Sequence, residues 1–285
     1  MIVWLASYPK SGNTWVRYFL TSLLLKKNYS DLRKLQFIGQ YPKRSHFKNL
    51  VTDFSNFENI SKNWIKSQDE INRDKKLKFL KTHHALCNLN GSFFTNYNNT
   101  LGAIYIVRDP RNVLISILNH FSKKNYDDAK NFLIDENRVI GSNQANKDKT
   151  EFDDNEITTV ISSWKAHYKS WKLLNKNFLL VKYENLIKNP DDEFFKIFDY
   201  VKKFIKIDNS KNLLKNAIKE SSFDNLQEKE EKFGFNEAPI DPETGERKKF
   251  FNLGPTSSWQ GIVDERIINE INEKFETEMK ELGYL

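Results

Sequence analysis

The sequence predicts an α/β fold: a single three-layer domain with a central, mostly parallel sheet flanked by helices. Two observations carry this. Short apolar runs alternate with stretches whose apolar residues recur at helical spacing, as in successive βα units. The first run, Ile2 to Ala6, passes through a tight polar loop directly into such a helix. With 285 residues, 39% of them hydrophobic, the chain is long enough to bury a real core.

Each element follows in order. Ile2-Val3-Trp4-Leu5-Ala6 reads as a buried central strand, because a strand covered on both faces shows no polar alternation. Pro9 to Gly12 is a turn. From Asn13 to Leu25, Trp15, Val16, Phe19, Leu20, Leu23 and Leu24 mark a helix. Residues 28–75 are rich in Asn, Lys and Ser and read as short helices and loops. Leu77 to Thr82 and Leu101 to Val107 read as the second and third strands. Pro110 suits the first turn of the next helix, whose apolar face is Val113, Leu114, Ile117, Leu118 and Phe121. Asn125 to Glu156 is polar. Ile157, Val160, Ile161, Trp164, Tyr168 and Trp171 predict one long amphipathic helix, Phe178 to Val181 a fourth strand, and Asn189 to Ile205 another helix. Residues 228–258 combine Gly, Pro, Asp and many charges without a period, so a lid loop is expected there. Ile262 to Leu282 predicts the last helix. No shift of composition marks a second domain, and 1–285 is read as one unit.

Composition narrows the function classes. Forty-five basic residues against 38 acidic ones leave a net charge of +7, spread along the chain and not gathered into a stripe. A nucleic-acid partner is therefore not expected. Cys87 is the one cysteine, so no disulfide can form within the chain and a reducing cytoplasm fits. The apolar start is too short for a signal peptide, and no run approaches the roughly 20 apolar residues of a membrane span, so stable membrane insertion is not expected.

Two loops carry the chemistry. In parallel sheets, ligands bind beyond the carboxyl ends of the strands. The loop Tyr8-Pro9-Lys10-Ser11-Gly12-Asn13-Thr14-Trp15 lies there and opens a helix, whose first N–H groups and dipole suit phosphate or sulfate. Gly12 lets the backbone approach an anion, Lys10 adds a charge, and Ser11, Asn13 and Thr14 add neutral donors. The order is not the Gly-Lys-Ser/Thr of a P-loop, which argues against a magnesium-dependent kinase. The second loop, Arg108-Asp109-Pro110-Arg111-Asn112, follows the third strand, and Ser116 lies eight residues beyond Arg108 on the following helix. Arg108 offers a bidentate fork to the same crevice. Together they indicate a nucleotide-dependent group-transfer enzyme.

These loops resemble those of the sulfotransferases that use 3′-phosphoadenosine 5′-phosphosulfate (PAPS). Tyr8 to Trp15 is one residue from that family's Y-P-K-S-G-T-T-W loop for the 5′-phosphosulfate. Arg108 and Ser116 are similar to its 3′-phosphate pair. Phe79-Leu80-Lys81-Thr82-His83 resembles its K-T-H strand end, whose His is the base. Tyr183-Glu184 with Asn189-Pro190 resembles its Y-E-x-L…N-P segment, where the Tyr contacts the adenosine, and Ser221-Ser222-Phe223 the segment that meets the adenine edge and face.

The resemblance implies a P-loop NTPase-like fold and transfer of a sulfuryl group from PAPS, with PAP as product and no metal. Lys10 would meet the bridging oxygen, Gly12 to Thr14 the 5′-phosphate, and Lys81 the sulfuryl oxygens. His83 would be the base: Phe79, Lys81 and His83 share one side of an extended segment, and His84 faces the other. His84, His120 and His167 are read as structural. Trp15 and Phe223 would sandwich the adenine. The acceptor would be a hydroxyl, or an amine, of a small molecule, glycan or lipid, chosen by residues 30–75, 125–155 and 228–258. One departure stands out. Where the family has R-K-G-x-x-G-D-W, this chain has Phe251-Asn252-Leu253-Gly254-Pro255-Thr256-Ser257-Ser258-Trp259, which keeps Gly254 and Trp259 but loses the Arg and Lys. Arg247, Lys248 and Lys249 are the expected substitutes.

Overall fold

The computed structural model describes residues 1–25, 32–141, 157–175, 177–207, 211–241, 244–251 and 258–285. Four strands, β1 (Ile2–Ser7), β2 (Lys78–Thr82), β3 (Thr100–Val107) and β4 (Phe178–Lys182), form a parallel sheet in the order β2-β1-β3-β4. Trp4 sits opposite Leu80 on one side and Ala103 on the other. The outer edge of β2 is covered by the chain at 39–41, where the Lys81 N–H donates to Gly39 O at 2.9 Å and the Tyr41 N–H to Lys81 O at 2.8 Å.

Alternation along β1 explains the layers. Ile2, Trp4 and Ala6 enter one core with helices α2 (Pro110–His120), α3 (Tyr126–Ile134) and α4 (Trp164–Lys172). Val3 and Leu5 enter the opposite core with α1 (Asn13–Leu25), α6 (Pro190–Lys202) and α7 (Lys211–Glu220). Between β4 and α6 lies the short α5 (Tyr183–Lys188). All six residues of β1 are buried, so its continuous apolar run records two covered faces. Every strand's carboxyl end faces the same way, and the loops of the site leave from those ends.

Three expectations need correction, and one stretch read only as polar takes a structure. The polar stretch after Asn125 begins with α3, capped by the Asn125 side chain, which accepts the Asp128 N–H at 2.9 Å. Residues 142–156 lie outside the described part. The long helix over Ile157 to Trp171 is only half helical. Its first half is a β-branched run, in which Thr159–Val160 pairs antiparallel with Val139–Ile140. The helix starts where Ser163 caps it by accepting the Ala166 N–H. The last helix begins after Asp264 and breaks at Phe275 into α9 (Glu265–Lys274) and a short helix, Glu276–Glu281. Finally, α8 (Phe223–Phe233) runs into the stretch expected to be loop and ends at Gly234, φ +69°. Leu226 is its buried apolar residue, and Lys229 and Glu230 are buried with it, so the apolar period was hidden.

Candidate active site

The cradle is built by the backbone after β1. Lys10 (φ 65°) and Gly12 (φ 102°) both take left-handed conformations, which turn the chain so that α1 starts over the strand ends. Only glycine fits at 12: an added Cβ would stand 2.5 Å from Tyr183 Cδ2. Asn13 corrects its expected role. Its side chain points inward, the amide donating to Leu5 O at 3.1 Å and Ser7 Oγ at 3.2 Å, so it locks the loop to β1. Three buried donors around the loop, Ser11 Oγ, Trp15 Nε1 and Arg108 Nε, have no hydrogen-bond partner among the described residues. A bound anion with a nucleotide base beside it would satisfy such donors.

The second candidate anion point adjoins the first. Arg108, at the end of β3, donates from Nη1 to Ser116 Oγ at 3.1 Å and to Lys10 O at 3.2 Å. The eight-residue spacing therefore brings Arg108 and Ser116 together and ties them to the loop. The Tyr183 ring lies 4.3 Å from the guanidinium and against Gly12, with Trp15 edge-on to it at 5.8 Å. Trp15 and Phe223 both border a third apolar cluster that holds Tyr18, Leu226 and Phe251. Ser221 is buried and its hydroxyl donates to Ile218 O at 3.0 Å, so in this conformation it closes α7. Gly254 lies outside the described residues. Its neighbour Trp259 is fixed above α2, its N–H donating to Asn112 Oδ1 at 3.0 Å and its ring facing Arg111 at 4.4 Å. Arg247, Lys248 and Lys249, the expected substitutes for the missing Arg and Lys, are engaged within their own segment and α8. Arg247 donates to Asn236 O and Ala238 O, Lys248 pairs with Asp241 at 2.9 Å and Lys249 with Glu231 at 2.6 Å.

At the transfer end, Lys10, Lys81 and His83 converge. Lys10 Nζ lies 4.0 Å above the Phe250 ring and 3.4 Å from His120 Nδ1. Burial, then the nearby charges of Lys81 and Arg108, lower its pKa to about 7. His83 Nδ1 sits 2.9 Å from Ser7 O. Burial, then Lys81, push its pKa to about 3. His84 faces the other way, stacked on Phe94 at 4.2 Å and edge-on to Trp64 at 4.7 Å. His167 is internal too, its Nε2 3.1 Å from His83 O and its Nδ1 2.8 Å from the Tyr105 hydroxyl.

Three further side chains stand beside Lys10 and Lys81 without having been marked as site residues in the sequence. His120 was set aside as structural, yet it lies one helical turn beyond Ser116 on the same face of α2, a spacing that could have flagged it. Arg17 falls three residues after Thr14 on α1 and was hidden among apolar neighbours. Glu237 bridges Arg17 at 2.7 Å and Lys81 at 3.4 Å from 156 residues beyond Lys81, and no local pattern announces it.

A parallel sheet with an anion cradle at its switch from strand to helix, a second anion point beside it and a lysine–histidine pair at the next strand end defines a group-transfer enzyme of P-loop-like architecture. A family model described as the sulfotransferase domain matches residues 2–283, and the chain belongs to that family. Flavonol 3-sulfotransferase of Flaveria bidentis is 22% identical over 291 residues, 99% of this chain and 82% of the relative. Among solved structures, mouse sulfotransferase SULT7A1 complexed with PAP matches 98% of this chain and 84% of its own, at 18% identity and a TM-score of 0.58. Retinol dehydratase in a complex with retinol and PAP covers 98% of this chain and 81% of its own, at 16% identity and a TM-score of 0.60. Among the described residues, no helix is long and apolar enough to cross a membrane.

Proposed function

We propose that this sulfotransferase moves the sulfuryl group of PAPS to the hydroxyl, or amine, of a small-molecule acceptor, with His83 as the base. The carrying observation is the contact between His83 Nδ1 and the Ser7 carbonyl. The nitrogen lies 2.9 Å from the carbonyl oxygen, which can only accept, so Nδ1 carries the proton and Nε2 keeps a free lone pair. A low pKa in the ligand-free site keeps that lone pair available near neutrality. The anionic charge of a bound nucleotide favours protonated His83, which raises its basicity when it is needed.

PAPS supplies the electrophilic sulfuryl group and a phosphate leaving group: the acceptor atom gains the bond to sulfur, and the sulfur–oxygen bond to the 5′-phosphate breaks. The chain does the rest. His83 Nε2 takes the acceptor proton. Lys10 meets the charge that develops on the leaving phosphate, and Lys81 steadies the sulfuryl oxygens. The N–H groups of Gly12 to Thr14 and the Ser11 hydroxyl hold the 5′-phosphate, and Arg108 with Ser116 the 3′-phosphate. Trp15, Tyr183 and Phe223 offer apolar faces to adenine. We take 1–285 as one catalytic domain, the part of 228–258 that follows α8 as its lid, and a reducing cytoplasm as its setting, in keeping with the free thiol of Cys87. A small-molecule acceptor is supported by retinol in the retinol dehydratase complex.

The test is an acceptor screen with PAPS, scored by mass gain. Transfer to a hydroxyl or amine supports the reading, and tight PAP binding with no transfer to any acceptor leaves only a binding protein. His83→Ala is expected to lower kcat by about 10²- to 10⁴-fold, the usual share of a positioned base. Full activity in that variant removes His83 from the mechanism.

A further inference from the structure

The segment after α8 sends two side chains onto the cations of the transfer end. Glu237 Oε1 lies 2.7 Å from Arg17 Nη2, and its Oε2 lies 3.4 Å from Lys81 Nζ. Phe250 covers Lys10. Neither placement is that of a loose side chain. The N–H groups of Phe250 and Phe251 both donate to the Glu230 carboxylate, at 2.7 and 2.8 Å. The Lys248 N–H donates to Pro239 O at 2.8 Å, and Arg247 holds two further carbonyls of the segment.

Arg17 and Lys81 are buried, with side chains 4% and 8% exposed, whereas Glu237 is 35% exposed. Two buried cations face one carboxylate that enters from outside, which is how the site would hold a ligand anion. Burial alone would raise the Glu237 pKa, but Lys81 and Arg17 outweigh it and keep the carboxyl ionised. A carboxylate and a sulfuryl group present the same chemistry to a lysine: charged oxygens that accept hydrogen bonds.

We propose that Glu237 is a positioning residue that holds Lys81 in the ligand-free site and yields it to the sulfuryl oxygens of the co-substrate. This rests on the reading of the site as a PAPS site. The two arms of the carboxylate divide the work. The short contact to Arg17 is the anchor, and the long contact to Lys81 is the one exchanged. Release of Lys81 then needs a shift of one carboxylate arm and no refolding of the segment. The exchange also separates the two nucleotides. PAPS carries the group that competes with Glu237, and PAP does not.

The experiment compares PAPS and PAP binding by calorimetry, without acceptor, in the wild type, Glu237→Gln, Glu237→Asp and Glu237→Gln combined with Lys81→Met. Glu237→Gln keeps the size and the acceptor oxygen for Arg17 but removes the competing charge. PAPS is expected to tighten by about tenfold and PAP by no more than about twofold, the difference of one charge-assisted contact. Glu237→Asp restores the wild-type ratio, and Lys81→Met abolishes the gain. Equal changes for both nucleotides, or none for either, overturn the proposal, since a merely structural carboxylate would move both together. An Arg108→Ala variant with unchanged PAP affinity would instead defeat the underlying PAPS reading, whatever Glu237 does.

Discussion

The two ends of the site are held by different means. At the nucleotide end, Gly12, Arg108 and Ser116 hang from the ends of β1 and β3, and hydrogen bonds from Asn13 and Arg108 tie loop to strand and loop to loop. At the transfer end, Lys81 also leaves a strand, but Glu237 and Phe250, which meet Lys81 and Lys10, come from a segment fastened to itself and to α8. A phosphate that stays bound throughout is met by preformed geometry. The group that departs is met by cations with a second partner within reach. On the proposed reading, binding and chemistry fall to separate residues, and substitutions should separate them as well.

The largest effect is expected at Lys10. Lys10→Met keeps the length of the side chain and removes the charge that meets the leaving phosphate. Loss of one preorganised donor to a developing charge costs about 10²- to 10³-fold in kcat. PAP affinity should fall much less, because the phosphate keeps its backbone donors. A fall in PAP affinity as large as the fall in kcat would erase the distinction between the two ends. At the other end the pattern reverses. Arg108→Ala should weaken PAP binding by about 10- to 100-fold, the value of about 1.5–3 kcal/mol for a hydrogen bond to a charged group. Ser116→Ala should cost less. The two residues touch at 3.1 Å, so the double variant should lose less than the sum of the single losses. Additive losses would show that they contact different groups.

The division also explains what could be read in the sequence. The nucleotide end was legible because its residues lie close together in the chain, where strand, turn and helix fix their spacing. Tyr8 to Trp15 is one turn, and Arg108 follows β3 directly, eight residues before Ser116 on the next helix. The side of His83 followed from alternation alone. Asn13 was misread because a polar residue in an anion loop was taken to face the anion, whereas the buried carbonyl of Leu5 needed a donor more. Glu237 and Arg17 were illegible for a different reason. Their meeting depends on the path of the chain after α8, and a glutamate in a charge-rich, patternless stretch looks like any solvated one. The same holds for α8, whose buried Lys229 and Glu230 replaced the apolar residues that would have betrayed a helix.

The smallest expected effect concerns pH and discriminates between the ends by titration. Lys10 faces the cations Lys81 and Arg108, the carboxylates Glu237 and Glu230, and neutral His120. Burial and the two cations bring its pKa down to about 7 in the ligand-free site. A bound nucleotide brings negative charge and favours ammonium, which raises that pKa. Ligand thus binds the protonated form more tightly. PAP affinity should be highest below about pH 7 and weaken as pH rises above it, by at most about tenfold per unit. His83, at about 3, and His120, held well below its usual value, are already neutral in the ligand-free enzyme over this range. Calorimetry in buffers of different ionisation enthalpy should show uptake of up to about one proton on binding above pH 7. Lys10→Met should abolish both the uptake and the slope. A slope that survives in that variant would assign the titration to another group and remove Lys10 from contact with the nucleotide's charge.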